Sequence, residues 1–178
     1  MPTTRHIFLC GFMGSGKSTH GKKLAGIMRL PFTDLDLYIQ KKENKTVQFI
    51  FDNEGEEQFR FLETKYLNEL ILEPQPMIVS LGGGTVCYNN NLELIKKNGV
   101  LIYIEMPAQA IAERLQKSKQ KRPLLQKVSP DNLVNYIEEK LIERTVFYKQ
   151  SHFIVNGLDL NYLQLQQLIV EFNKKNNV

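Results

Sequence analysis

The chain has 178 residues, of which 42% are hydrophobic and 24% charged, so it is long enough for one globular domain with its own apolar core. Its net charge of +4 is modest and no apolar run reaches the length of a membrane span, so we expect neither a nucleic-acid-binding protein nor a membrane protein. Cys10 and Cys87 form neither a metal-type pair nor a disulfide framework, which is typical of free thiols in a reducing cytoplasm.

Short apolar runs alternate with helical patterns along the chain. Strands are predicted at 6–10, 32–36, 77–81, 100–105 and 152–156. Helices are predicted at 17–29, 54–73, 107–117 and 131–149, and a closing helix carries one apolar face formed by Leu165, Leu168, Ile169 and Phe172. This alternation indicates a single α/β domain over 1–178, with a parallel sheet covered on both faces and ligand sites at the carboxyl ends of its strands.

The segment after the first predicted strand, residues 11–18, reads GFMGSGKS and fits the spacing G-x-x-x-x-G-K-[ST]. Backbone N–H groups of such a loop point at phosphate oxygens, Lys17 adds positive charge at the terminal phosphates, and Ser18 offers a hydroxyl to Mg²⁺. The loop lies between an apolar strand and an amphipathic helix, which is the context that this motif requires. We therefore predict a nucleotide site formed by Gly14, Ser15, Gly16, Lys17, Ser18 and Thr19.

A phosphate loop alone does not distinguish kinases from GTPase switches or ATP-driven motors. The chain is small for a motor, and it lacks the guanine-reading N-K-x-D motif of switch GTPases. The distinction must therefore come from the residues of the other loops.

Two carboxylates, Asp34 and Asp36, flank Leu35 at the end of the second predicted strand. Strand alternation predicts that both lie on the same face. One can hold a metal ion, and the other can accept the proton of a hydroxyl and orient that hydroxyl for attack. The alternative is that they cap a helix beginning near Leu37, which accounts for one aspartate but leaves the other unexplained.

Two arginines have both a structural and a functional interpretation. Arg60 and Glu63 are three residues apart on a predicted helix, so they can form either a fork that grips a carboxylate or a surface salt bridge of little consequence. Arg144 lies next to Glu143 and can belong to the surface or to the site. The run Gly82–Gly84 either lets the backbone approach a small ligand or forms a plain turn.

The densest basic stretch, within 117–128, contains Lys117, Lys119, Lys121 and Arg122. A basic segment between two helices suits a lid that closes over phosphates and excludes water, and Arg122 can then stabilise charge on the transferred group. The alternative is a solvated loop.

Together these segments resemble the shikimate kinase family in its order and at its spacing, over nearly the whole chain. The motifs are GFMGSGKST at 11–19, DLD at 34–36, GEEQFRFLE at 55–63, SLGGG at 80–84, RPLL at 122–125 and ERTVFY at 143–148. The resemblance implies ATP- and Mg²⁺-dependent phosphorylation of the 3-hydroxyl of shikimate, a step of chorismate and aromatic amino acid biosynthesis. It also implies a P-loop, nucleoside-monophosphate-kinase-like three-layer sandwich with a five-stranded parallel sheet, a substrate-binding helical region at 37–73 and a lid at 117–128.

On the phosphate side, the resemblance implies that Ser18 binds the metal directly and Asp34 through water. Lys17 and the lid arginine Arg122 match residues that act on the phosphates. Arg114 is the nearest candidate for an arginine on the adenine side. A basic residue found after the last strand in some members of the family is absent here, where the chain reads NGLDLN at 156–161.

On the acceptor side, Asp36 matches the residue that holds the substrate hydroxyls and acts as the base. Arg60 and Arg144 match the pair that grips the substrate carboxylate, and Glu63 matches the residue that orients Arg60. The remaining substrate contacts implied are the backbone of Gly83 and the apolar side chains of Phe51 and Phe59.

Two other functions compete with this reading. Gluconate kinases share the phosphate loop, but we expect them to carry a histidine shortly after the second-strand aspartate, and Asp36 is followed by Leu-Tyr-Ile. A nucleotide-binding protein without kinase activity predicts loss of the acceptor-side carboxylate or of the lid arginine, and this chain keeps both. We expect a cytoplasmic monomer whose ligands are ATP and shikimate.

Overall fold

One parallel sheet of five strands forms the centre of the protein. The strands are β1 (His6–Cys10), β2 (Phe32–Asp34), β3 (Ile78–Ser80), β4 (Gly99–Glu105) and β5 (Phe153–Asn156), in the order β2-β3-β1-β4-β5. The computed structural model of the protein describes residues 5–118, 123–126 and 128–176. The central strand β1 is buried over its whole length, and its Ile7 lies opposite Ile78 of β3 and Val100 of β4.

Helices cover both faces of the sheet, which gives the predicted three layers. They are α1 (Lys17–Met28), α2 (Leu35–Glu43), α3 (Val47–Asn53), α4 (Gly55–Ile71), α5 (Asn91–Asn98), α6 (Ala108–Lys117), α7 (Leu133–Tyr148) and α8 (Tyr162–Lys175). Alternate residues of the strands pack against α1 and α8 on one face, and against α2, α4, α5 and α7 on the other. Within the described ranges, no helix is both long enough and apolar enough to cross a bilayer.

The second strand ends two residues earlier than predicted, at Asp34. Oδ1 of Asp34 accepts the backbone N–H of Leu37 at 3.3 Å, so Asp34 caps α2, which begins at Leu35. Asp36 lies in the first turn of that helix. The prediction that strand alternation places the two carboxylates on one face is therefore wrong, because the chain turns into a helix between them.

The closing helix α8 buries a narrower face than predicted. Leu165 and Ile169 are buried, whereas Leu168 is 38% exposed. Leu168 comes one residue before Ile169, about 100° away around the helix axis, which places it at the solvent edge. The other predicted elements are present with bounds that differ by a few residues, and the helix predicted at 131–149 begins with a short 3₁₀ turn, Pro130–Asn132.

Candidate functional site

A cleft of about 890 Å³ opens at the carboxyl ends of the central strands. It lies there because β2, β3 and β1 are neighbours in the sheet, so the loops that follow them meet at one edge. Nine of the predicted site residues line it: Gly14, Gly16, Lys17, Ser18, Thr19, Asp34, Asp36, Gly83 and Arg114.

The phosphate loop joins β1 to α1 through a backbone that favours glycine. Gly14 and Gly16 have φ values of 81° and 92°, which side-chain-bearing residues rarely adopt. Lys17 is buried and its Nζ donates to the carbonyl oxygens of Gly11 and Phe12 at 2.9 and 3.0 Å. The ammonium group is thus held over the loop, beside the positive N-terminal end of α1.

Three oxygen-bearing side chains meet beside the loop. Ser18 Oγ donates to Asp34 Oδ2 at 2.5 Å and lies 3.3 Å from Ser80 Oγ. Hydroxyl and carboxylate oxygens are the ligands that Mg²⁺ prefers, so this donor set fits that ion. Among the described residues, no group of three or more His, Cys, Asp or Glu side chains is placed to hold a metal ion.

The run Gly82–Gly84 lies at the contact point of the other predicted groups. A methyl group on Gly82 would lie 3.0 Å from Asp36 Oδ1, and one on Gly83 would lie 3.2 Å from the backbone nitrogen of Met13 in the phosphate loop. On Gly84 it would lie 2.8 Å from Arg60 Nη1. Three consecutive residues without side chains therefore bring the acid, the phosphate loop and the arginine together.

Arg60 belongs to a buried polar cluster, so the surface salt-bridge interpretation is wrong. Its guanidinium donates to Glu63 Oε2 at 2.5 Å and to Glu56 Oε1 at 2.7 Å, and Glu63 also accepts a hydrogen bond from the hydroxyl of Thr85. Arg60 is 6% and Glu63 0% exposed. Burial alone lowers the pKa of Arg60, but the charges of Glu63 and Glu56 outweigh it and hold the pKa above its ordinary value.

Arg144 reaches the same glycine run from α7, and it is buried rather than on the surface. Its Nη1 donates to the carbonyl oxygen of Gly83 at 3.3 Å, and its guanidinium lies 5.4 Å from the centre of the Phe12 ring. The buried hydroxyl of Tyr148 donates to the same carbonyl. Tyr148 was missed in the sequence, because its position one turn after Arg144 gives no sign of a polar contact.

Phe51 and Phe59 pack against each other beside Arg60. Their ring centres are 4.8 Å apart, and the Arg60 guanidinium lies 5.5 Å from the Phe59 ring. Phe59 is buried and Phe51 half-buried. These apolar rings shield one flank of the charged cluster from water.

The predicted lid at 117–128 is described in part. Arg122 lies outside the described residues. Ser118 lines the cleft, the turn Pro123–Leu125 lies against α3, and Leu125 and Val128 pack against the apolar cluster that contains Phe12. The described parts of this segment therefore border the cleft and contact the predicted substrate region at 37–73.

Several residues at the end of the cleft away from Asp36 were not predicted as site residues. His20, Gly157 and Leu158 line it together with Arg114. A methyl group on Gly16 would lie 3.1 Å from Arg114 Nη1, so that guanidinium lies beside the phosphate loop. The helical spacing of His20, three residues after Lys17, is the signal that the sequence offered.

Comparisons with known proteins agree with this geometry. The family model for shikimate kinase matches residues 13–172. A shikimate kinase from Azobacteroides pseudotrichonymphae is 39% identical over 159 residues, which are 88% of this chain and 94% of that relative.

Solved structures of shikimate kinases superpose closely on the fold. The enzyme from Bacteroides thetaiotaomicron has a TM-score of 0.83 at 33% identity, covering 99% of this chain and 100% of that one. The enzyme from Acinetobacter baumannii in complex with shikimate has a TM-score of 0.83 at 31% identity, covering 99% and 97%. A gluconokinase from Sinorhizobium meliloti, at 14% identity and a TM-score of 0.56, shares the fold alone. The chain belongs to the shikimate kinase family.

Proposed function

We propose that this protein transfers the terminal phosphoryl group of ATP to the 3-hydroxyl of shikimate, giving shikimate 3-phosphate and ADP. Family membership supports the reaction class and both substrates. The observation that carries the proposal is the meeting of Asp36, the phosphate loop, Arg60 and Arg144 at Gly82–Gly84. An acceptor held by these arginines would present a hydroxyl to the end of the loop where the terminal phosphate binds.

On the phosphate side, we assign the backbone of Gly14, Ser15 and Gly16 to the phosphate oxygens, with Thr19 nearby at the start of α1. Lys17 is assigned to stabilise the negative charge of the transferred phosphoryl group. Its ammonium group already lies over the loop, where it donates to two carbonyl oxygens, and phosphate oxygens can replace these acceptors. Arg122 is assigned to the same phosphates as the lid arginine, and Arg114 to the nucleoside end.

Ser18 and Asp34 would hold Mg²⁺, with Ser18 as a direct ligand and Asp34 through water. When bound, the ion neutralises charge on the phosphates and holds them in line for transfer. The chain's own part is to aim the Ser18 hydroxyl, and the 2.5 Å contact with Asp34 supports that role.

On the acceptor side, Asp36 accepts the proton of the 3-hydroxyl as its oxygen attacks the terminal phosphorus. Arg60 and Arg144 bind the carboxylate of shikimate, for which a planar guanidinium fork is well matched. Glu63 orients Arg60, and the glycine run Gly82–Gly84 lets the ring of shikimate approach the backbone. The lid at 117–128 and the rings of Phe51 and Phe59 exclude water from the reacting groups.

An ADP-release assay with Mg·ATP tests the proposal, with shikimate, gluconate and no acceptor run in parallel. ADP release that depends on shikimate alone is the expected result. Equal release with gluconate would favour the gluconate kinase alternative. Bound ATP with no release in any arm would support a nucleotide-binding protein without kinase activity.

We also propose that the protein acts as a cytoplasmic monomer. Burial raises the pKa of the Cys10 and Cys87 thiols to about 12 and about 11, as suits thiols that stay reduced in a cytoplasm. Light scattering at assay concentrations tests the monomer, and a mass of about twice 20.6 kDa would contradict it.

A further inference from the structure

We infer that His20 is a positioning residue for the nucleoside end of ATP, acting through the loop at Gly157–Leu158. The inference rests on the proposed function for the direction in which ATP lies. The sheet order β2-β3-β1-β4-β5 places Asp36, just after β2, and Gly157, just after β5, on opposite sides of the phosphate loop. With the terminal phosphate pointing toward Asp36, the nucleoside must extend toward β5.

His20 bridges two elements at that end of the cleft. Its Nε2 lies 3.2 Å from the carbonyl oxygen of Gly157, and its Nδ1 lies 2.7 Å from the hydroxyl of Tyr162, the first residue of α8. A carbonyl oxygen can only accept, so Nε2 carries the proton and Nδ1 accepts from Tyr162. Burial lowers the pKa of His20, which favours this neutral form.

The loop at Gly157–Leu158 is also held by contacts other than the one with His20. The backbone N–H of Gly157 donates to the carbonyl oxygen of Glu105 at 2.9 Å, and that of Leu158 donates to Asn156 Oδ1 at 2.8 Å. A methyl group on Gly157 would lie 2.8 Å from Ile104 Cγ2. The backbone is thus fixed on the β4 side by packing and on the cleft side by the imidazole, while the exposed side chain of Leu158 lines the cleft.

The imidazole also touches the phosphate loop, which offers a competing role. A methyl group on Gly16 would lie 3.0 Å from the His20 ring. Loss of His20 can therefore weaken nucleotide binding through the loop at Gly157–Leu158 or through the phosphate loop. Ligands that share phosphates but differ in the nucleoside separate the two routes.

The experiment measures binding of ADP and of tripolyphosphate to the full chain and to three variants. For His20→Ala we expect ADP binding to weaken about tenfold, the size of one lost hydrogen bond together with the order it maintains, while tripolyphosphate binding changes less than about twofold. The KM for ATP should rise in proportion, with kcat and the KM for shikimate nearly unchanged. His20→Gln, which keeps an N–H donor near Gly157, should recover most of the loss.

His152→Ala is the matched control, because His152 is also half-buried and also accepts a hydrogen bond, from the backbone of Leu101 at 2.9 Å. It should lose stability without losing ADP affinity. Equal weakening of ADP and tripolyphosphate by His20→Ala would assign His20 to the phosphate loop, and unchanged ADP binding would reduce it to packing. Should His20→Ala not fold, Tyr162→Phe takes its place: it removes the hydroxyl bonded to Nδ1 of His20 and should weaken ADP binding more than tripolyphosphate binding. Wild-type protein that binds ADP but forms no ADP from ATP in the presence of shikimate would refute the proposed function. The binding test of His20 would still hold in that case.

Discussion

Ser18 and Asp34 are joined by a 2.5 Å hydrogen bond, while the second oxygen of Asp34 accepts the backbone N–H of Leu37 at 3.3 Å. One carboxylate therefore caps α2 and also orients the hydroxyl at the start of α1. The two interpretations of this aspartate that the sequence left open, cap and metal-side acid, are both compatible with its position.

The double role of Asp34 predicts that the two functions separate on substitution. Asp34→Asn keeps an oxygen that caps the helix but removes the charge, so stability should change little. The Mg²⁺ concentration for half-maximal activity should rise about 10- to 100-fold, as for other groups that support a metal ligand. Asp34→Ala should show the same metal effect and in addition lose about 1 kcal/mol of stability. An unchanged Mg²⁺ requirement in both variants would remove Asp34 from the metal side.

Asp36 is predicted to be needed for turnover and not for nucleotide binding. Asp36→Asn cannot accept the hydroxyl proton, so kcat should fall by about 10²- to 10⁴-fold. ADP affinity should stay close to that of the wild type. Glu171→Gln, an exposed position on α8, controls for the loss of one carboxylate elsewhere. Normal turnover of Asp36→Asn would exclude Asp36 as the base.

Local signals gave the phosphate loop and most of the strands, because a glycine-rich spacing and an apolar run are read within a few residues. The prediction that Asp34 and Asp36 lie on a strand was wrong because α2 begins between them. That early start depends on one capping hydrogen bond, which strand alternation in the sequence does not reveal. That the residues fall at one edge of the sheet followed from the predicted parallel topology alone.

The burial of Arg60 could not be predicted from its helix. Spacing showed that Arg60 and Glu63 can touch, but the pair is buried because Gly84, more than 20 residues later, packs against the guanidinium and Thr85 donates to Glu63. Leu168 is the converse case: it belongs to the predicted apolar face of α8 but is 38% exposed at the solvent edge of that helix. Contacts between distant segments decide both cases, and family resemblance supplied the role of Arg60 that its local sequence left open.

Arg60 is predicted to serve both the fold and the acceptor. Arg60→Ala leaves the buried carboxylate of Glu63 without its cation, so unfolding free energy should fall by about 3–5 kcal/mol. The KM for shikimate should rise at least about tenfold, because the carboxylate grip is lost. Arg60→Lys keeps the charge but not the fork, and should recover stability more than KM. A change confined to the KM for ATP would place Arg60 on the wrong side of the site.

Two glycines give a matched pair of alanine substitutions. Gly84 has an ordinary φ of −108°, yet its added methyl group would lie 2.8 and 2.9 Å from the two terminal nitrogens of Arg60, which Glu63 and Glu56 hold in place. Gly84→Ala should therefore lower stability by about 1–3 kcal/mol and raise the KM for shikimate. Gly26 lies in α1 with nothing within 4 Å of its added methyl group, so Gly26→Ala should raise stability by about 0.5–1 kcal/mol. Equal effects from both would show that Gly84 does not set the position of Arg60.

His152 is predicted to make the fold sensitive to mild acid. Its Nδ1 accepts the backbone N–H of Leu101, its ring lies 4.7 Å from that of Phe172, and burial, with the nearby charges of Lys96 and Arg5, lowers its pKa below the ordinary 6.5. The unfolded chain then binds the proton more tightly than the folded one. The contribution of His152 is therefore complete above pH 6.5 and is lost as pH falls from 6.5 toward the lower folded-state pKa.

Urea unfolding of the wild type and of His152→Gln between pH 5 and pH 8 measures this loss. The difference in unfolding free energy between the two proteins should shrink as pH falls below 6.5, with a slope of at most about 1.4 kcal/mol per pH unit. His20, whose pKa burial also lowers, is present in both proteins, so its titration cancels in the comparison. Parallel curves for the two proteins would mean that His152 titrates alike in the folded and unfolded chains, and that its hydrogen bond to Leu101 does not require the neutral ring.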